Sequence, residues 1–60
     1  INDALWSGLR ESRGRHVLHF DLRTHVGVLV DWRNMVIVTV IYLRRNQYHR
    51  LRAQALNGNT

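Results

Sequence analysis

The chain has sixty residues, with no Cys, no Pro and no Lys, and nine Arg against four acids leave a net charge of +5. A chain this short forms one domain at most and buries a small core, and without Cys it has neither disulfides nor thiolate metal sites. A positive charge carried by Arg alone points to a polyanion, nucleic acid or an acidic protein, because guanidinium forks match phosphate oxygens in pairs and stack on bases.

Residues 1–60 are read as a single small domain, expected to be the C-terminal part of a longer chain. The opening Ile1-Asn2-Asp3 is not an initiator Met and shows no signal-peptide pattern, so localisation is not legible. Asn2 or Asp3 is placed to cap a short helix running to about Arg10, with Leu5, Trp6 and Leu9 at helical spacing. Gly8 and Gly14 limit it, and Glu11-Ser12-Arg13-Gly14 reads as a connector.

His16 to Leu22 alternates, with Leu18, Phe20 and Leu22 on one face and Val17, His19 and Asp21 on the other, which is the period of a strand. Asp21-Leu22-Arg23-Thr24 suits a turn, and His25 to Val30 is a second strand with Val26, Val28 and Val30 on one face. A further turn falls at Asp31-Trp32-Arg33-Asn34, where Asn tolerates positive φ. These charges also interrupt the apolar run from Val26 to Leu43, so two strands explain it better than a membrane span. Met35 to Leu43 is β-branched and apolar on both faces, which marks it as the central or most covered strand. From Arg45 to Leu56 the period becomes helical through Tyr48, Leu51 and Ala55, and Asn57-Gly58 is a natural stop.

The expected fold is therefore α+β: a short N-terminal helix, a three-stranded antiparallel β-meander and a C-terminal helix packed on the sheet. Leu18, Phe20, Val28, Val30 and Val38 are expected beneath that helix. A meander gathers Arg13, Arg15 and Arg33 at one end of the sheet and Arg23, Arg44 and Arg45 at the other, with Arg50 and Arg52 extending the second group. These eight arginines are the candidate RNA-binding set.

His16 and His19 do not make a metal pair on a strand, because an odd spacing sends them to opposite faces, and neither a metal nor a cofactor is implied. His19 beside Asp21 on one face is a candidate general base with an orienting carboxylate. No Ser-His-Asp pattern and no Gly-rich phosphate loop is present. The remaining parts suit metal-free RNA cleavage, in which the ribose 2′-OH attacks its own phosphate and the protein supplies a base, an acid and cations. The candidate catalytic set is His19, Asp21, Thr39 and Tyr42. A basic β domain that binds RNA without cutting it, such as a small ribosome-associated protein, uses the same composition and stays open beside it, as does a domain whose basic face docks an acidic protein.

Gly14 to Thr24, then Gly27-Val28-Leu29-Val30-Asp31, then Val36 to Tyr42, resembles the C-terminal sheet of colicin D-type ribonuclease toxins in the barnase–EndoU–colicin–RelE group. That resemblance covers about half the chain and rests on order and spacing rather than on one motif. It implies a metal-free nuclease of tRNA anticodon loops that acts in a cytoplasm after secretion or delivery and is neutralised by an acidic immunity or antitoxin protein. The strand Ser/Thr of that group falls on Thr39. Its neighbouring Trp falls near Ile41 or Tyr42 only after a one-residue shift. Its main catalytic His precedes the sheet, and no His precedes His16 here.

Overall fold

The computed structural model describes residues 1–57. The elements run α1 (Asn2–Trp6), β1 (Arg10–Arg13), β2 (His16–Asp21), β3 (Val26–Asp31), β4 (Val36–Tyr42) and α2 (Arg45–Asn57). The strands form one antiparallel sheet in the order β1-β2-β3-β4. The α+β class and the meander stand, but the sheet has four strands instead of three. Gly58, the expected helix stop, lies outside the described residues.

The extra strand is β1, whose residues read as a helix end and a connector. It pairs Arg10 with His19, Glu11 with Leu18, Ser12 with Val17 and Arg13 with His16. Its sequence Arg-Glu-Ser-Arg has no apolar alternation to announce it, and backbone pairing with β2 is what makes it a strand. Gly14, at φ 63°, takes the first position of the two-residue loop between β1 and β2. Gly is favoured there because a type II′ hairpin turn needs positive φ at that residue. Helix α1 ends at Trp6, well short of Arg10, and its N-cap position is Ile1 with no side-chain cap, so neither Asn2 nor Asp3 caps it. The Ser7 hydroxyl instead holds the exit, its one proton shared between the carbonyls of Phe20 at 2.6 Å and Ala4 at 2.9 Å.

The β2–β3 and β3–β4 loops are built alike, on Asp21-Leu22-Arg23-Thr24-His25 and Asp31-Trp32-Arg33-Asn34-Met35. Each Asp bonds ahead: Asp21 accepts from the Arg23 amide at 3.0 Å and the Thr24 hydroxyl at 3.2 Å, and Asp31 from the Asn34 amide at 3.2 Å and side chain at 2.8 Å. The positive φ falls on the last loop residue, His25 (61°) and Met35 (57°), one position beyond Asn34.

The core is split across the two faces. Leu18 and Phe20 pack with Leu43 and with Leu51 of α2, while Val28 and Val30 pack with Ala4 of α1 on the opposite side. Register explains the division. Leu18 lies opposite Leu29 and Phe20 opposite Gly27, so Val28, opposite His19 and Val40, points the other way. Val28 and Val30 are thus buried as expected, but under α1, and Val38 is 47% exposed. Strand β4 is an outer strand of the sheet, with Val36, Ile37, Val38, Val40 and Tyr42 all exposed, not the central or covered one. No helix among the described residues is long and apolar enough to cross a membrane.

Candidate nucleic-acid interface

The end of the sheet where β3 begins and β4 exits carries a stack of rings. His25 is held there by backbone bonds on both sides: its amide donates to the Asp21 carbonyl at 3.0 Å, and its carbonyl accepts from the Leu43 amide at 2.7 Å. The first turn of α2 follows at once, closed by the Tyr48 amide donating to the Arg44 carbonyl at 2.7 Å. The His25 ring therefore lies between two tyrosines. It stacks on Tyr48 with centroids 4.2 Å apart and planes 1° apart, and on Tyr42 at 5.9 Å and 20°. His49 meets Tyr48 edge-on at 5.6 Å. Arg44 and Arg45 join these rings around an open concavity of about 510 Å³, and Tyr42 is 69% exposed. Exposed π-faces beside guanidinium groups are the parts that hold an unpaired base and its phosphate.

A second site lies between the sheet and α2. Arg13, His16, Thr39 and Gln47 rim a cleft of about 200 Å³ floored by Leu18, Leu29 and Ile41. The pairings Arg13–His16, Leu18–Leu29 and Leu29–Thr39 bring these residues together. Glu11 sits on the same face and accepts from Arg13 and, at 2.7 Å, from Arg50, tying β1 to α2. Burial raises the Glu11 carboxyl pKa, but the two guanidinium groups outweigh it and leave it below its ordinary value. At the opposite end of the sheet from the rings, Arg15, Asp31, Arg33 and Asn34 line a third, polar concavity. The Asn34 side chain, bonded to the Asp31 carboxylate, is the main reason its pKa is lowered.

The four catalytic candidates do not converge. His19 and Asp21 lie on the α1 side, Thr39 lines the cleft on the α2 side, and Tyr42 stands with the rings at the strand exit. His19 is 8% exposed, and its Nε2 accepts from the Trp32 indole at 2.8 Å while the rings meet edge-on at 5.4 Å. Burial, and then the charge of Arg10, lower its pKa and favour the neutral ring that this bond needs. Asp21, 7% exposed, spends its carboxylate on its own turn. The pair shares a face as expected, but each side chain has a structural partner.

Four arginines group at the sheet ends, Arg15 with Arg33 at one and Arg44 with Arg45 at the other. Arg13, expected with the first pair, lines the α2-side cleft, and Arg23, expected with the second, lines a separate concavity with Asp3 and Trp6. Arg13 and Arg50 are both engaged by Glu11, and Arg52 is exposed on α2.

Sequence reasoning missed His16, His25, Gln47, Tyr48 and His49. The signal for most of them is the run from Tyr42 to Arg50, where aromatic and basic residues interleave, although Tyr48 there reads first as a core position of a helix. Among the described residues, no three His, Cys, Asp or Glu cluster in a way that could hold a metal. Compared with known protein families, curated proteins and solved structures, the chain matches none.

Proposed function

We propose that this chain is an RNA-binding module that takes an unpaired, loop-like segment, such as a tRNA loop, at the ring-bearing end of the sheet. The observation that carries the reading is the Tyr42–His25–Tyr48 stack with Arg44 and Arg45 around one concavity. Tyr42 offers a ring for a base, and the two guanidinium groups offer forks for the adjoining phosphates. Single strands and loops suit this arrangement better than duplex, because their bases are free to stack outward. The test is a titration of labelled stem-loop RNA at several salt concentrations. Charge reversal of Arg44 and Arg45 should weaken binding and flatten the salt dependence by roughly 0.7 in log–log slope for each phosphate no longer neutralised. Tyr42→Ala should cost about 1–3 kcal/mol, the range for one stacked base. No binding by the intact chain at low salt would defeat the reading.

A second reading, metal-free RNA cleavage as in the colicin D-type group, is favoured by one observation: His16, Thr39 and Arg13 line the same cleft. In that reading His16 exchanges the proton of the 2′-OH or of the leaving oxygen, and Arg13 and Thr39 stabilise the phosphorane. Efficient cleavage needs both an acid and a base, and among the described residues His16 is the one such group lining this cleft, so cleavage should be slow. The assay is incubation with tRNA in chelator. Formation of 2′,3′-cyclic phosphate ends, lost in His16→Ala and kept in His19→Ala, supports this reading; cleavage only with added Mg²⁺ opposes it.

A further inference from the structure

The two edges of the sheet are treated in opposite ways. The outer edge at β1 is four residues long and three of them are charged, which blunts it against another strand. The outer edge at β4 is seven residues long, Val-Ile-Val-Thr-Val-Ile-Tyr, with no charge, Pro or Gly within it. Among the described residues, a β-bulge at its pairing with Leu29 and Val30 is the one protective device it carries. Helix α1 packs on Val26, Val28 and Val30 of β3, while Ile37, Val40 and Tyr42 stay 45–69% exposed. Among the described residues no strand pairs with this edge, and an apolar strip lies beside it.

We propose that β4 is a docking edge for an extended segment of a partner protein, apolar at alternate positions and acidic at both ends. Backbone pairing along β4 would supply affinity and the alternate side chains the specificity. The charges flanking β4 set the ends of the incoming segment. Arg33 stands before the strand, and Arg44 and Arg45 stand after it.

The same charges argue against a second copy of this chain. Antiparallel self-pairing over the whole strand sets Val36 opposite Tyr42 of the second copy, which brings the Arg44 and Arg45 end of each copy to the Arg33 end of the other. It also joins two chains that each carry +5. Like charges so placed oppose pairing, whereas acidic ends meet the arginines with opposite sign. The proposal stands whether or not the chain binds RNA.

The test uses the sixty-residue chain and a short synthetic peptide of alternating Val and Thr with Asp-Glu at each end. The expected result is saturable binding that slows amide exchange along Val36–Tyr42. Replacing the acidic ends with Lys-Lys should weaken binding by about tenfold or more, and Arg33→Ala should narrow that difference. Two further peptides carry N-methyl groups on alternate residues, in one phase or the other. Only one edge of an added strand pairs with β4, so one phase should bind and the other should fail. Equal binding of both phases, equal binding of the acidic and basic peptides, or no binding would overturn the proposal. So would self-association of the chain with β4 amides protected in the absence of peptide, which would assign the edge to a second copy.

Discussion

Single residues carry much of what local chemistry predicts. Gly27 sits where a Cβ would lie 3.0 Å from the Ile41 side chain and 3.2 Å from those of Leu18 and Leu43. Leu18 and Leu43 belong to the core under α2, with Ile41 packed against it. Gly27→Ala should therefore cost about 1–3 kcal/mol by overpacking, read as a lower denaturant midpoint. His19 supplies a pH signature. Its pKa is lowered in the folded chain by burial and by Arg10, so the unfolded chain binds its proton more readily. Stability should be complete above the unfolded value of about 6.5 and fall as the pH drops from there towards the folded value. Glu11, whose pKa is also lowered, should add a second loss at lower pH, below its ordinary value of 4.5. Thermal melts across pH check both, and His19→Gln should remove the upper step while leaving the lower one. Phe20, 2% exposed beneath α2, should cost about 3–5 kcal/mol as Phe20→Ala. A folded, cooperative variant would place Phe20 outside the core.

At the scale of elements, legibility followed the side-chain period. Strands β2, β3 and β4 announce themselves by alternation or by β-branched runs, and α2 by the recurrence of Tyr48 and Leu51. The polar strand β1 carries no such signal, because its contribution is backbone pairing and a Glu11 carboxylate that reaches Arg50 on α2. Composition also misplaced β4. A run apolar on both faces usually means cover on both faces, but strand order is set by connection lengths and register, which put β4 on the outside. The division of the core had the same origin: Val28 and Phe20 each alternate correctly, and only the pairing of Phe20 with Gly27 shows that they face opposite helices. The Glu11 ion pairs are largely solvated at the arginine side. Glu11→Gln should therefore lower stability by about 1 kcal/mol or less, and it should flatten the lower step of the pH profile.

For the whole molecule, the arginine charge was legible as a count, and the meander brought Arg15 to Arg33 and left Arg44 with Arg45, but it did not give the places of Arg13 and Arg23. The ring stack was not, because it joins His25 in a loop, Tyr42 at a strand exit and Tyr48 on a helix, three places that no single period connects. Nor were the side-chain partners of His19 and Asp21, since Trp32, which donates to His19, stands in the loop after β3, and the Asp21 carboxylate bonds its own turn. The central claim is that RNA is received at this ring-bearing end rather than by the positive charge as a whole. The most direct test is an NMR titration of the isotope-labelled chain with a short single-stranded RNA. Signals of His25, Tyr42, Arg44, Tyr48 and His49 should shift first and saturate together, with the Arg15 and Arg33 end little changed. Shifts spread evenly over all the arginines, or confined to the Arg15 and Arg33 end, would contradict the account.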